Sequence, residues 1–375
     1  MSRGSLSVQR PTALHYRLLD IVRGLAALWV FTYHYPRWDE LRENLPVVWN
    51  LVEKGYLGVP LFFVVSGYCM MASARSAIRR NESTANYMKR RLSRIYPPFI
   101  LSILAVLALP WVMALISQLK SGSFEQPNPR YMGFDSLDWL KYFSMAQIFE
   151  PGFDQIESKF AAVNAVYWTL ALEVQFYLVI GLGLLRRRFL MPVLGVTTLL
   201  GIAAAFQPGM YLTGIFLPYW PMFAMGVALF LVFEKGWEPR ASRGGVVFGL
   251  SVFAAGLGVI GFGLADMHAQ AFAGLSTVGL VFLRPIDNWL DKPLKGVLAW
   301  FRSGLVGLGK ISYSLYLMHA KVMVLVLMFV TQMGIARLSL TGMLITIVAT
   351  TLATYPFYRL CEVPFILKAP KRALP

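Results

Sequence analysis

Cysteine is almost missing from this chain: Cys69 and Cys361 are the only two in 375 residues. Two thiols so far apart exclude a disulfide framework and a cysteine-rich metal knuckle. The four histidines, His15, His34, His268 and His319, are too scattered for a metal-binding pattern, so no metal is expected. Charge is also scarce, at 14% of residues against about 25% in ordinary soluble domains. Acidic residues are the rarer sign, 19 against 35 Lys and Arg, which leaves a net charge of +16. That excess does not read as a nucleic-acid surface, because the cations fall in short segments between apolar runs. What the chain has in abundance is oil: 57% hydrophobic residues and a mean hydropathy of +0.57. Such a balance belongs to a protein that crosses a membrane many times.

Apolar stretches long enough to span, or nearly so, fall at about 18–34, 56–75, 95–117, 166–185, 189–206, 212–233, 245–263, 267–283, 311–331 and 339–358. The chain is therefore expected to be all-α, a single membrane bundle over 1–375 with about ten transmembrane helices. Arg3, Arg10 and Arg17 precede the first run as they would in a secretory signal. Asp20 and Arg23 interrupt the run itself, so it reads as a retained helix. With the N-terminus in the cytoplasm, the inner segments collect 24 Lys and Arg and the outer segments 8. The positive-inside rule then places both termini in the cytoplasm. The longest connection, 118–165, becomes an extracytoplasmic loop, and its SLDWLKYFSMAQIF stretch has the mixed character of an interfacial helix.

Ionisable residues inside the runs are the informative ones, since each costs roughly 2.5–3.5 kcal/mol at a helix centre. In LLDIVRGLAALWVFTYHY, Arg23 and His34 are eleven residues apart, close to three turns. Both therefore lie on one helix face, roughly 16 Å apart. Asp20, one turn before Arg23, can offset the guanidinium, or Arg23 can bind an anionic part of a substrate. His34 suits proton transfer near neutral pH, although a histidine at a helix end can also be merely interfacial. Glu173, in VYWTLALEVQFYL, can orient an imidazole or satisfy a buried arginine. Ser66, in GVPLFFVVSGYCM, can offer a hydroxyl to a ligand, or the segment can serve only close helix contact. Arg91 and Arg94, in KRRLSRIYPPF, stand one turn apart ahead of a run, suited to gripping phosphates beyond their topological duty. ISYSLYLMHAK carries Tyr313, Tyr316, His319 and Lys321, and its two cationic side chains lie deep enough to require an internal cavity.

Taken in order, LDIVRGLAALWVFTYHY, GVPLFFVVSGY, RRLSRIYPPF, YWTLALEVQFYL, ISYSLYLMH and the closing CEVPF resemble the acyltransferase 3 family of integral membrane O-acyltransferases. The resemblance covers nearly the whole chain. It implies a bacterial inner-membrane enzyme that moves an acyl group, commonly acetyl from acetyl-CoA, to a carbohydrate hydroxyl. By resemblance His34 matches the family's essential histidine, Arg23 its arginine partner, and Arg91 with Arg94 its basic pair. Lys321 departs from the pattern, which often has an apolar residue or proline there.

The expected reaction uses acyl-CoA as donor and no metal. Arg91 and Arg94 would meet the donor phosphates, with Arg23, Asp20, Ser66, Tyr313 and His319 along the donor or acceptor path. His34 would be the base and Glu173 would hold its tautomer. Direct transfer and an acyl-histidine route are both open. The expected partners are a polysaccharide or lipid-linked saccharide acceptor, membrane lipids, and either a second copy of the chain or polysaccharide-synthesis machinery. The competing class is a transporter or flippase. Such proteins often carry paired internal repeats, and none is evident here.

Overall fold

A computed structural model describes residues 16–35, 42–43, 46–122, 124–153, 158–236, 246–252, 268–290, 295–335 and 339–366. Among these residues there is no β-strand, and the elements are helices throughout. In chain order they are α1 Arg17–His34, α2 Pro46–Glu53, α3 Gly58–Arg79, α4 Thr84–Ser121, α5 Ser136–Phe143, α6 Ala161–Asn164 and α7 Trp168–Leu185. There follow α8 Leu190–Ala205, α9 Trp220–Glu234, α10 His268–Phe282, α11 Arg284–Leu290, α12 Gly296–Gln332 and α13 Leu340–Phe357. Seven of the helical segments are long and apolar enough to cross a membrane. Helix α1 is long enough but carries Arg17, Asp20 and Arg23. Helix α10 has 15 residues. The expected seventh span, 245–263, lies mostly outside the described residues.

The packing is inside-out relative to a soluble domain. Leu199 on α8 is 71% exposed and Leu352 on α13 is 67% exposed, whereas Ser312, Ser314, Thr346, Thr350 and Thr354 are fully buried. Hydroxyls are kept for helix-to-helix contact and aliphatic side chains face outward, as a lipid environment favours.

Three helix boundaries differ from the hydropathy reading. Helix α4 begins at Thr84, well ahead of the apolar run, because Lys89, Arg90 and Arg91 are good helix formers and Ser83 caps its first turn. Pro97, Pro98 and Pro110 lie inside this 38-residue helix rather than at its start. Helix α12 likewise begins at Gly296, so the segment expected as a connection, 284–302, is largely helical. Before α9, residues 208–213 and 217–219 form short 3-10 turns instead of the expected continuous span. The turn between them needs Gly214, at φ 71°, with Ile148 O pressed where a side chain would stand.

Two close helix pairs place the functional residues. In α3 and α9, Gly67 faces Phe223 O and Gly226 faces Val64 O, so the two backbones touch. In α1 and α12, Gly24 faces the backbone at Gly309, and Gly309 in turn faces Asp20 O. Small residues at both positions let the helices approach to backbone contact. Helices α1 and α12 run in the same direction, since Arg23 meets Gly309 and Ser312 while His34 meets His319.

Candidate active site

Close approach of α1 to α12 fixes Arg23. Its Nε donates to Ser312 Oγ at 2.8 Å and its Nη2 donates to Gly309 O at 2.6 Å. A guanidinium inside an apolar bundle is thereby satisfied by the neighbouring helix. Asp20, one turn before Arg23 on α1, lines a second space nearer the start of that helix.

That space is a vestibule of about 320 Å³ at the end of the bundle where α1 begins. Arg80, Arg90, Arg91 and Arg94 reach it, with Asp20 and Tyr16 opposite. Two of its arginines are held by a residue the sequence reading passed over. Glu82 accepts from Arg90 Nε at 2.8 Å and Nη2 at 2.6 Å, a two-pronged pair, and from Arg80 Nη2 at 3.0 Å. Arg80 is also tied to Ser76 Oγ on the last turns of α3. Burial pushes the Glu82 carboxyl up, but hydrogen bonds and charge from Arg90 and Arg80 outweigh it and hold it below the usual glutamate range. The linkage sign follows from that depression. The clamp stabilises fully above the ordinary glutamate pKa of about 4.3 and is lost as pH falls through the lowered value. Melting of the detergent-solubilised protein should therefore show a Tm advantage of wild type over Glu82→Gln near pH 7 that narrows below pH ~4. A gap that does not change with pH would remove the clamp from the account.

The vestibule adjoins a narrower chamber of about 80 Å³ in the middle of the bundle, and Cys69, Arg91 and Arg94 line both. Arg23, Ser66, Glu173, Tyr177 and Tyr313 belong to the polar part of the chamber wall, with Phe62, Phe63, Val59 and Met70 on the apolar side. Glu173 Oε1 accepts from Tyr177 Oη at 2.9 Å and from Ser66 Oγ at 3.4 Å. Tyr313 donates to Ile95 O at 2.9 Å, bracing α12 against α4. Behind this wall, Ser314 donates to Glu362 at 2.6 Å, a buried carboxylate in the turn after α13.

The chamber ends at Tyr316. Its hydroxyl is 2.6 Å from Thr169 Oγ1 and donates to Val166 O at 2.8 Å, and its ring packs on Phe62. One turn further along α12 is His319, only 1% exposed, with its ring centroid 6.0 Å from that of Tyr316. His319 Nε2 stands 3.4 Å from His34 Nδ1, and the two ring centroids are 5.1 Å apart. The same His34 nitrogen is 2.9 Å from Val30 O.

The residues singled out in the sequence thus sort into three places. Arg23, Ser66, Glu173, Tyr313, Arg91 and Arg94 share the chamber; Asp20 belongs to the vestibule; His34 and His319 form a pair beyond Tyr316. Glu173 has Tyr177 and Ser66 as partners, and the imidazole beside His34 is that of His319. Lys321, expected to face a cavity, is half-buried and lines neither space. Ser312, Tyr177, Thr169 and Glu362 were missed, because a hydroxyl in an oily run carries little signal until its neighbour is known. Glu362 had the clearer cue, being the acidic residue of CEVPF. Among the described residues, no three His, Cys, Asp or Glu side chains gather as a metal ion would require.

The sequence pattern of a family described as an acyltransferase domain matches residues 16–359. The chain is 24% identical over 382 residues to "O-acetyltransferase OatA" of Staphylococcus aureus strain NCTC 8325, and equally to the proteins of that name from strains COL and MRSA252. Each alignment covers 92% of this chain and 56% of the relative, so the chain spans little more than half the length of these curated relatives. No solved structure matches the chain.

Proposed function

The chain belongs to the acyltransferase 3 family, and from that membership we propose that it is a membrane O-acyltransferase with acyl-CoA as donor and a saccharide hydroxyl as acceptor. The observation that carries this reading is a single path. A basic vestibule shares Cys69, Arg91 and Arg94 with a narrow chamber, whose lining residue Tyr316 is one helical turn short of a histidine pair. Cationic walls suit a nucleotide with several phosphates, and a narrow chamber suits a slender pantetheine arm better than a bulky ring.

In this mechanism Arg91 and Arg94 grip phosphates at the seam of the two spaces. Arg23, held rigid by Ser312 and Gly309, lines the arm's route and presents positive charge to the thioester end. Phe62 and Tyr316 part to admit the acyl group, which requires Tyr316 to release Thr169 and Val166. His34 takes the proton from the acceptor hydroxyl as its oxygen attacks the thioester carbonyl. The C–O bond forms, the C–S bond breaks, and His34 returns the proton to the departing thiolate, so the products are an O-acyl ester and free CoA. Glu173 then serves the chamber wall through Ser66 and Tyr177 rather than the histidine.

The proposed topology has ten spans, both termini in the cytoplasm and the vestibule on the cytoplasmic side of a bacterial inner membrane. Several described contacts support that count. Glu234, at the end of α9, pairs with Arg75 and Arg79 at the end of α3. Gln270, at the start of α10, reaches Tyr211 at the opposite end of the bundle. Leu280, near the end of α10, returns to Tyr16 beside the start of α1. Together with the parallel run of α1 and α12, this is the parity a ten-span chain requires. The whole of 1–375 then forms one domain, and 118–165 is its extracytoplasmic loop. The acceptor is proposed to be a surface polysaccharide or lipid-linked saccharide, in keeping with the O-acetyltransferase name of the relatives and with acetyl as the acyl group.

Purified protein given acetyl-CoA and a saccharide should release thiol in step with O-acylation. Movement of saccharide across a vesicle membrane without thiol release would instead establish a transporter. Cys69 offers a second check, because it lies on the seam. In a Cys361→Ser background, CoA at ten times its Kd should slow alkylation of Cys69 about tenfold by occupancy alone. Alkylation at an undiminished rate would place the donor elsewhere.

A further inference from the structure

Resting on the acyl transfer proposed above, we propose that His319 is a positioning residue: it holds His34 with its proton on Nδ1, which leaves Nε2 to take the acceptor's proton, and it stabilises the imidazolium that results. The hydrogen-bond donors can be assigned from the partners alone. His319 Nδ1 lies 2.8 Å from Tyr316 O and 3.2 Å from Leu315 O. A carbonyl only accepts, so that nitrogen carries the hydrogen, and in a neutral ring Nε2 is then the acceptor. His319 Nε2 faces His34 Nδ1 at 3.4 Å, and His34 Nδ1 also faces Val30 O at 2.9 Å. Both of these groups accept, so His34 Nδ1 too carries a hydrogen, shared between them. The lone pair of neutral His34 is therefore on Nε2.

The imidazole of His319 adds what the carbonyl of Val30 does not. The carbonyl lies one turn back on α1, where it also accepts the helix's own bond. A second imidazole is a far better base and gains hydrogen-bond strength as His34 becomes charged. In effect His319 does for His34 what a carboxylate does behind a catalytic histidine, without bringing a formal negative charge into the bundle. Helix α12 makes this possible. His319 is 1% exposed and braced by Phe31, whose ring centroid is 5.8 Å away. Among the described residues the other titratable groups around the pair are Tyr33, with its centroid 5.2 Å from His34, then Tyr56 behind it, Tyr316 and Lys321 on α12, and Glu53 beside Tyr56.

His319→Leu should lower kcat about 100-fold with donor KM changed less than about twofold. The acid limb of its kcat/KM–pH profile should move down by about one unit, because His34 loses support for its charged form. His319→Gln, whose side-chain oxygen can accept where Nε2 does, should recover at least about tenfold of the lost kcat. Equal defects in both variants with an unmoved acid limb would reduce His319 to packing, and a limb moved upward would mean the rings repel; either overturns the proposal. If the Leu variant fails to fold, ¹⁵N-histidine spectra of the unaltered protein above pH 8 decide: His34 protonated on Nδ1 upholds the proposal, and on Nε2 overturns it. Loss of the acyl-transfer reading itself would look different, as full activity in His34→Ala whatever His319 does.

Discussion

His34→Ala should leave thiol release from acetyl-CoA at least about 10³-fold below the unaltered protein, with the protein still inserted and monodisperse. Removing a positioned base costs roughly 10²–10⁴-fold by itself. Among the described residues Glu173 is engaged by Ser66 and Tyr177, Tyr316 stands between the chamber and the pair, and His319 is only 1% exposed. The fold should tolerate the change, because His34 ends α1 and is only half-buried. The Arg23 bonds to Ser312 and Gly309, which tie α1 to α12, are untouched. The assay follows free thiol and the O-acyl product together, beside size-exclusion elution and membrane yield. Retained turnover would remove His34 from the chemistry and leave the basic vestibule as a binding feature alone.

Gly226→Ala should have the largest effect on the fold. A methyl at 226 would fall 1.9 Å from Val64 O and 2.8 Å from Tyr68 N, both backbone atoms that no rotamer change can move aside. Gly67 meets the same problem from the other helix, 2.0 Å from Phe223 O. Relief would require α3 and α9 to separate by more than an ångström. The aromatic layer behind them would come apart, where Phe176 packs on Phe223 at 4.7 Å and Trp220 on Phe223 at 4.9 Å. Overpacking of a rigid contact costs 1–3 kcal/mol or more, and here more than about 3 kcal/mol is expected. Gly304 on α12 is the internal control. Nothing lies within 4 Å of its added methyl, so Gly304→Ala should be neutral or gain about 0.5–1 kcal/mol. Detergent melting curves of the two variants should therefore separate in opposite directions. A Gly226→Ala protein as stable as the parent would mean that α3 and α9 are not in backbone contact.

Hydropathy made most of this architecture legible before any coordinates. The runs 18–34, 166–185 and 339–358 correspond within a few residues to α1, α7 and α13. What it missed lay at the ends of helices, where charge and helix propensity part company. Lys89, Arg90 and Arg91 lower hydropathy and still extend a helix, so α4 starts far earlier than its oily core. Spacing correctly put Arg23 and His34 on one face, because a single helix fixes that geometry. Which helix covers the face is tertiary information: Ser312 and His319 on α12 meet it, 289 and 285 residues away in sequence. Glu173 shows the same limit. Its place inside an apolar run was readable, but its partners on α3 and on its own next turn were not. Glu82 sat unnoticed among arginines because a lone acid in a basic stretch looks like surface until its carboxylate is seen gripping two of them.

The parallel docking of α1 on α12 has a consequence for how the chain is made. Arg23 leaves the ribosome with α1, whereas Ser312 is 289 residues behind it. At elongation rates of roughly 5–20 residues per second, the guanidinium waits tens of seconds for its permanent bonds. Through that interval an oily nascent bundle must shelter a charge by borrowing water, lipid headgroups or an insertase. Nascent chains arrested before α12 should accordingly cross-link to such helpers through positions beside Arg23, and those released after it should not.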